Sequence, residues 1–166
     1  KVAAIEVRVG APEIDRLDVL GVDLDDLVDE PEGLLLLNTF ENLLRRQDDA
    51  VALIFRGEDR VASQVSFAEL YAEVSRLAQA LRDLGVRPGE RVAAYMPNIP
   101  STLIAMLAAA SIGAVFSSCS PDFGVGGVLD RFGQIAPVVL FSVDGYAYGG
   151  KTHDCIVKTA EIARLI

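Results

Sequence analysis

The sequence predicts an α/β fold in which a mostly parallel sheet is flanked by helices. Three observations within residues 91–144 support this prediction. The segment contains three short apolar runs, and two stretches with helical spacing lie between them. Within each run the apolar residues are continuous and do not alternate with polar ones. The runs are 91–97, 114–121 and 137–144, and the helical stretches are 99–113 and 122–135. Strands that alternate with helices of this length form parallel sheets, and continuously apolar strands are covered on both faces.

The two helical stretches have different patterns. The first is apolar all round and ends at Gly113, whereas the second is amphipathic, with Val125, Val128 and Phe132 at helical spacing. Asp122 is the residue expected to cap the second helix. A small β-hairpin is predicted from residues 51–57 and 61–67, with 57–60 as its loop.

Capping signals place two further helices. Ser66 followed by Glu69 is a capping box, and the helix after it ends at Gly85. Its apolar stripe consists of Leu70, Val74, Leu77 and Leu81. Asn38 followed by Glu41 predicts an earlier helix in the same way.

The two ends of the chain carry further predictions. Residues 1–9 are expected to form a strand, and residues 12–30 two short acidic helices. A Gly- and Tyr-rich loop is predicted over 146–151, and a helix from Thr152 as N-cap to Ile166. Because the chain ends on an apolar residue without a helix stop signal, we expect it to be cut from a longer one. The interpretation is an acidic, partly helical extension over 1–33 and one domain over 34–166.

Composition limits the classes of partner. The chain has 15 Lys and Arg against 24 Asp and Glu, for a formal net charge of −9. This balance argues against a nucleic-acid surface and against an anionic membrane surface. Residues 15–32 concentrate the acidity, but their spacing fits no metal-binding loop, so a solvated acidic face is the preferred interpretation. Two cysteines form no disulfide framework, and no signal peptide or membrane-length apolar run is present, so the predicted location is the cytoplasm.

Ligands of parallel α/β sheets bind at the carboxyl ends of the strands, here 97–98, 117–122 and 144–151. Small residues over 117–121 would let a ligand approach the backbone, although an ordinary strand–helix loop has the same composition. Cys119 would need a base to act as a nucleophile, and the only histidine, His153, lies in another predicted loop. It is read as a helix-start or surface residue.

The stretch over 146–151 combines two tyrosine rings, flexible glycines and Lys151. Such a set could stack on a purine and meet a phosphate, or it could be a plain surface loop. The residues alone show no carboxylate pair, metal cluster, catalytic triad or phosphate-loop motif.

Several sequence strings nevertheless resemble one family. They are LNTFENLLRR (37–46), ALIFRGED (52–59), MPNIP (96–100), SSCSPDFGV (117–125), VLDRFGQI (128–135) and VDGYAYGGK (143–151). Together with residues 67–93 they resemble the N-terminal region of acyl-CoA synthetases of the adenylate-forming superfamily, in its acetoacetyl-CoA synthetase-like branch. The resemblance covers about 35–166 and implies the first Rossmann-like layer of the large N-terminal domain.

The resemblance implies an ATP-dependent acid–thiol ligase of keto-acid metabolism. Such enzymes activate a carboxylic acid with ATP and Mg²⁺, release pyrophosphate and transfer the acyl group to CoA. The family's phosphate loop, adenine contacts, metal-binding Glu and C-terminal catalytic Lys have no counterpart here, so this chain is expected to be truncated, without an ATP site and inactive alone.

The resemblance also implies positions for CoA. The family segment that aligns with Phe116, Ser117, Ser118 and Cys119 approaches the pantetheine. The segment that aligns with 148–151 approaches the CoA nucleotide, where relatives carry Arg. Lys151 retains that charge and Tyr148 does not. No catalytic residue and no metal ligand is expected in this chain.

The alternative hypothesis is a binding or dimerisation module built from this half-domain. An incomplete sheet would expose an edge and an apolar face to a second copy, to a partner chain or to the rest of the synthetase.

Overall fold

A computed structural model describes residues 3–6, 44–58 and 62–166, with the first of these segments described by its backbone. The elements, in chain order, are β1 (Ala3–Glu6), β2 (Val51–Arg56), β3 (Ala62–Ser66), α1 (Phe67–Asp83), β4 (Arg91–Tyr95), α2 (Pro100–Ser111), β5 (Val115–Cys119), α3 (Val125–Ile135), β6 (Val139–Ser142), β7 (Gly145–Tyr148), β8 (Lys151–Asp154) and α4 (Ile156–Leu165). The acidic helices predicted over 12–30 and the start of the helix predicted at Asn38 lie outside the described residues.

The main sheet has four parallel strands in the order β1-β6-β4-β5. Val92 of β4 pairs with Phe116 of β5 on one side and with Val139 of β6 on the other. Ala3 of β1 pairs with the same Val139 from the far side of β6. The predicted parallel α/β fold is therefore confirmed, and β4 and β6 are the two inner strands of the described sheet.

Apolar residues cover both faces of the sheet because side chains alternate along each strand. On one face, Val92 and Ala94 of β4 belong to a core that also contains buried residues of α1 and α2. On the other face, Ala93 and Tyr95 belong to a core completed by residues of α3 and α4. Each continuously apolar strand thus contributes side chains to a hydrophobic core on both faces of the sheet, as the apolar runs of residues 91–144 predict.

The helix α1 follows its sequence signals. The Ser66 hydroxyl accepts a hydrogen bond from the Glu69 amide at 3.2 Å, and the Glu69 carboxylate accepts one from the Ser66 amide at 2.7 Å. Leu70, Val74 and Leu81 are buried, and Leu77 packs at the margin of the same core. Gly85 has a φ of 84°, which confirms the predicted glycine stop.

Two antiparallel hairpins flank the sheet. The predicted pairing of β2 with β3 is confirmed, with an irregularity in register between Val51 and Leu53. Strands β7 and β8 form a second hairpin, which the sequence prediction treated as a loop. The loop prediction for 146–151 is wrong because Gly149 and Gly150 both have positive φ, 61° and 72°, as a tight two-residue hairpin turn requires.

Two predicted caps are also corrected. Thr152 lies within β8, and the last helix begins at Ile156, where the Asp154 carboxylate accepts a hydrogen bond from the Ile156 amide at 3.0 Å. Gly124, not Asp122, is the N-cap residue of α3. The Asp122 side chain instead accepts hydrogen bonds from Tyr146 and Ser120. No helix within the described part of the chain is both long and apolar enough to cross a membrane.

Candidate ligand-binding cleft

A cleft of about 540 Å³ lies at the carboxyl ends of the parallel strands. Segment 97–99 after β4, Ser120 and Asp122 after β5, and the start of β7 form one part of its lining. Segment 55–58, at the end of β2, and Tyr148, at the end of β7, complete the lining, so each hairpin contributes one wall. The cleft therefore opens where the alternation of strands and helices predicts a ligand, between the main sheet and the two hairpins.

Tyr95 fixes the loop between β5 and α3. It is the last residue of β4, is fully buried, and its hydroxyl lies 2.8 Å from the Pro121 carbonyl oxygen and 2.9 Å from that of Phe123. Burial raises the pKa of Tyr95 to about 12, so the hydroxyl retains its proton as a hydrogen-bond donor to this loop. The position of Ser120 and Asp122 at the cleft thus depends on Tyr95, a residue of the inner strand β4.

Asp122 connects this loop to the hairpin β7–β8. The Tyr146 hydroxyl donates to one carboxylate oxygen of Asp122 at 2.6 Å, and the Ser120 hydroxyl donates to the other at 2.8 Å. These two donors, Tyr146 first, lower the pKa of Asp122. The same bond is the main reason that the pKa of Tyr146 is raised to about 12. The Tyr146 ring also stacks on His153 with ring centroids 5.0 Å apart.

A second contact joins the tips of the two hairpins. The amide of Gly149, in the β7–β8 turn, donates a hydrogen bond of 2.6 Å to the carboxylate of Glu58. Because Glu58 follows β2, this bond connects the two walls of the cleft directly. The hairpin β7–β8 is therefore held at its base by Asp122 and at its tip by Glu58.

The structure brings together only some of the residues that the resemblance assigns to CoA. Tyr148 and Lys151 pair across the hairpin, and Tyr148 lines the cleft. Phe116, Ser117, Ser118 and Cys119 belong to β5, at the edge of the described sheet, and they precede the segment that reaches the cleft. None of these four residues, nor Lys151, is among the described residues that line it.

The two thiols are buried in the apolar interior. Burial raises the pKa of Cys119 and of Cys155, which disfavours the thiolate that a nucleophile requires. His153 lies in β8, and its Nε2 is 3.3 Å from the Tyr148 carbonyl oxygen. The helix-start position expected for His153 is therefore wrong, and the structure gives it a role in the hairpin.

Sequence reasoning missed the wall formed by Phe55, Arg56 and Glu58. These residues were assigned to a hairpin, but no local pattern places that hairpin opposite β7. The only signal that included them was the string ALIFRGED, read as a family resemblance. Within the part of the chain that the structure describes, no group of three or more His, Cys, Asp or Glu could hold a metal ion.

The described chain is an α/β domain with a parallel sheet and a cleft at the carboxyl ends of its strands, and comparison with known families gives its class. Residues 40–164 match the AMP-binding enzyme family. Because this match extends over most of the chain, the chain belongs to that family.

Comparison with individual proteins shows which members of this family the chain resembles. The chain is 54% identical to the acetoacetyl-coenzyme A synthetase of Rhizobium meliloti (strain 1021), with 86% of this chain and 22% of the relative covered. It is 45% identical to the acetoacetyl-CoA synthetase of Rattus norvegicus, with 84% and 22% covered. The solved acetoacetyl-CoA synthetase from Streptomyces lividans matches with a TM-score of 0.72 and 51% identity, over 75% of this chain and 20% of that one.

These comparisons confirm the resemblance to acetoacetyl-CoA synthetase-like enzymes. The chain spans about a fifth of the length of the relatives that it matches.

Proposed function

We propose that this chain is the N-terminal part of an AMP-forming acid–thiol ligase that acts on acetoacetate. The reaction would run in two steps. Acetoacetate and ATP would give acetoacetyl-adenylate and pyrophosphate, and the CoA thiol would then displace AMP to give acetoacetyl-CoA. The similarity to acetoacetyl-CoA synthetases supports the reaction type, and the cleft at the strand ends supports a ligand-binding role for these residues.

Within that enzyme, we assign the hairpin β7–β8 to one wall of the CoA site. Tyr148 exposes 57% of its surface and lines the cleft, so its ring is available to stack on a planar group. Lys151 lies directly across the hairpin from it and supplies one positive charge. A lysine ammonium attracts a phosphate as a point charge, without the forked geometry of arginine.

The first experiment is a kinetic comparison in the full-length protein that contains these residues. Acetoacetate-dependent formation of AMP and acyl-CoA would be measured for the wild type and for Lys151→Glu. We expect the KM for CoA to rise several-fold, with the KM for ATP unchanged. Arg164→Glu, an equal charge change on an exposed residue near the end of α4, is the matched control.

Two results would contradict the proposal. Wild-type protein that forms no AMP with acetoacetate, ATP, Mg²⁺ and CoA would exclude the reaction. An equal effect of Lys151→Glu and Arg164→Glu on the KM for CoA would exclude a specific role for the hairpin.

The same proposal implies that the 166 residues are inactive alone, since no phosphate-loop motif for ATP occurs in them. The purified chain should release no pyrophosphate from ATP in the presence of acetoacetate. Release at a rate comparable to that of the full-length protein would show that an ATP site lies within these residues.

A second candidate function is a self-associating or partner-binding module. The observation that favours it is the position of β5, which pairs on one side only among the described strands and exposes 47% of Val115. Sedimentation velocity of the 166-residue chain tests this candidate. A concentration-dependent dimer would support it, and a monomer throughout the micromolar range would exclude self-association.

A further inference from the structure

The cleft has a single cationic residue among the described residues that line it. Arg56 is the last residue of β2, is exposed to solvent, and faces the same cleft as Tyr148. The sequence resemblance had assigned the charge of this region to Lys151 alone. The folded chain adds a second cation from the opposite wall.

The carboxylates of the cleft are already engaged by other donors. Asp122 accepts hydrogen bonds from Tyr146 and Ser120, and Glu58 accepts one from the Gly149 amide. Within the described ranges, no salt bridge within 4.0 Å joins Arg56 to a carboxylate. Among the described residues, no carboxylate therefore competes by a salt bridge for the forked guanidinium, which can donate hydrogen bonds to an anion that enters the cleft.

The rest of the lining favours an organic phosphate over a simple ion. Phe55 and Tyr148 contribute aromatic residues to the lining, and Ile99 contributes an aliphatic one. A volume of about 540 Å³ is large enough for a ligand of nucleotide size. An arginine fork beside aromatic surface matches a ligand that carries both a phosphate and a planar ring.

We propose that Arg56 binds a phosphate group of the CoA nucleotide and is the principal anion-binding residue of this cleft. This inference rests on the proposed function, in which CoA is a substrate. It assigns the phosphate contact to the β2–β3 hairpin, whereas the resemblance places the CoA contacts on β5 and on β7–β8. Arg56 would then contact the nucleotide from the β2–β3 hairpin, and Tyr148 from the β7–β8 hairpin.

The test uses the full-length protein with Arg56→Gln and Arg56→Lys. Loss of a hydrogen-bonded charge pair weakens binding roughly 10- to 100-fold, so Arg56→Gln should raise the KM for CoA by about that factor. The KM values for ATP and acetoacetate, and kcat at saturating CoA, should stay within twofold. Arg56→Lys should recover part of the loss because it restores the charge without the fork.

The matched control is Arg87→Gln. Arg87 is also exposed, but it precedes β4 and so lies at the opposite edge of the sheet from the cleft. This variant should leave all KM values unchanged. Isothermal titration of each variant with CoA, in the absence of ATP, gives an independent measure of binding.

The outcomes separate this inference from the proposed function. Wild-type activity with an unchanged KM for CoA in Arg56→Gln would overturn the role of Arg56 and leave the enzyme function intact. A rise in the KM for ATP that equals the rise for CoA would also overturn it. Absence of CoA-dependent activity in the wild type would overturn both.

Discussion

The inner strands of the sheet and the hairpin β7–β8 lie side by side but are stabilised in different ways. In β6 every residue is buried, and Leu140 and Phe141 are 1% and 0% exposed. In β7 and β8 most residues are exposed, and side-chain hydrogen bonds from Tyr146 and to Glu58 hold the hairpin in place. The sheet therefore depends on apolar burial, whereas the hairpin depends on a few polar contacts and on its turn.

This difference matters for function because the hairpin forms a wall of the cleft. Apolar burial makes a large, non-directional contribution to the free energy of folding. The close packing that accompanies it makes the sheet rigid. A wall held by two hydrogen bonds can be altered by one substitution without loss of the fold. The following substitutions test whether the two regions are as independent as this contrast implies.

The largest effect should come from the sheet. Phe141→Ala removes a fully buried ring from an inner strand and should lower the free energy of unfolding by about 3–5 kcal/mol. Tyr148→Ala, which truncates an aromatic residue that is 57% exposed, should change it by less than about 0.5 kcal/mol. Urea denaturation followed by circular dichroism measures both. Equal losses would show that the hairpin is part of the same cooperative core.

The second largest loss of stability should come from the base of the hairpin β7–β8. A Cβ atom at Gly145 would lie 2.7 Å from the His153 carbonyl oxygen, which is too close for the present pairing of β7 with β8. Gly145→Ala should lower stability by about 1–3 kcal/mol and increase amide exchange in 145–154. The control is Gly133→Ala in α3, where space is open and alanine should stabilise the helix by roughly 0.5–1 kcal/mol. Unchanged exchange in the hairpin of Gly145→Ala would contradict the pairing.

A smaller loss of stability should come from the exposed capping contact at the start of α1. Ser66→Ala removes the hydroxyl that accepts from the Glu69 amide at the start of α1 and should lower stability by about 1 kcal/mol. Ser63→Ala on the exposed side of β3 makes the same chemical change without a cap and should have less than half that effect. Thermal unfolding of the two variants shows whether loss of the capping hydrogen bond costs more stability than loss of a serine hydroxyl elsewhere. Equal losses of stability would contradict a role of the capping box.

The smallest effect concerns pH and is confined to the cleft. Hydrogen bonds from Tyr146 and Ser120 lower the pKa of Asp122 below its usual value near 3.8. The bond to Asp122 therefore contributes fully above that value and is lost as pH falls through the lower pKa of the folded state. Tyr146→Phe removes the larger of the two causes, so the pKa of Asp122 should rise toward its usual value.

Carbon-13 NMR titration of the Asp122 carboxyl group measures this shift. Tyr148→Phe is the matched control because it removes the other tyrosine hydroxyl of the same strand, and it should leave the pKa of Asp122 unchanged. An identical titration in the wild type and in Tyr146→Phe would show that the hydrogen bond does not hold the hairpin in solution.

The same contrast explains which parts of the structure could be predicted. The alternation of strands and helices over residues 91–144 was predicted correctly, apart from the cap at Asp122, because a sheet covered on both faces leaves a local pattern of apolar runs. The capping box at Ser66 was also correct, since its partners are three residues apart. By comparison, Gly149 and Gly150 were interpreted as a flexible loop, although two adjacent glycines between short strands are the usual signal of a tight hairpin turn.

The cleft itself was only partly predictable. The strand ends follow from topology, which predicted segments 97–98, 117–122 and 144–151. Residues 97–98, Ser120, Asp122 and 145–148 of these segments line the cleft. The wall that carries Arg56 depends on a contact between Glu58 and Gly149, which are 91 positions apart in the chain. No local periodicity records such a contact, so this wall became visible only in the folded structure.

The order of strands in the main sheet has a consequence for how the protein is made. Strand β1 leaves the ribosome before β6, yet Ala3 pairs with Val139 of β6, which is translated much later. The pairing of β1 with β6 must therefore wait while β4, α2, β5 and α3 are synthesised, and these elements can already fold against one another. Contacts between residues so far apart in the chain form slowly. The pairing of β1 with β6 should therefore be a late step in the folding of this sheet.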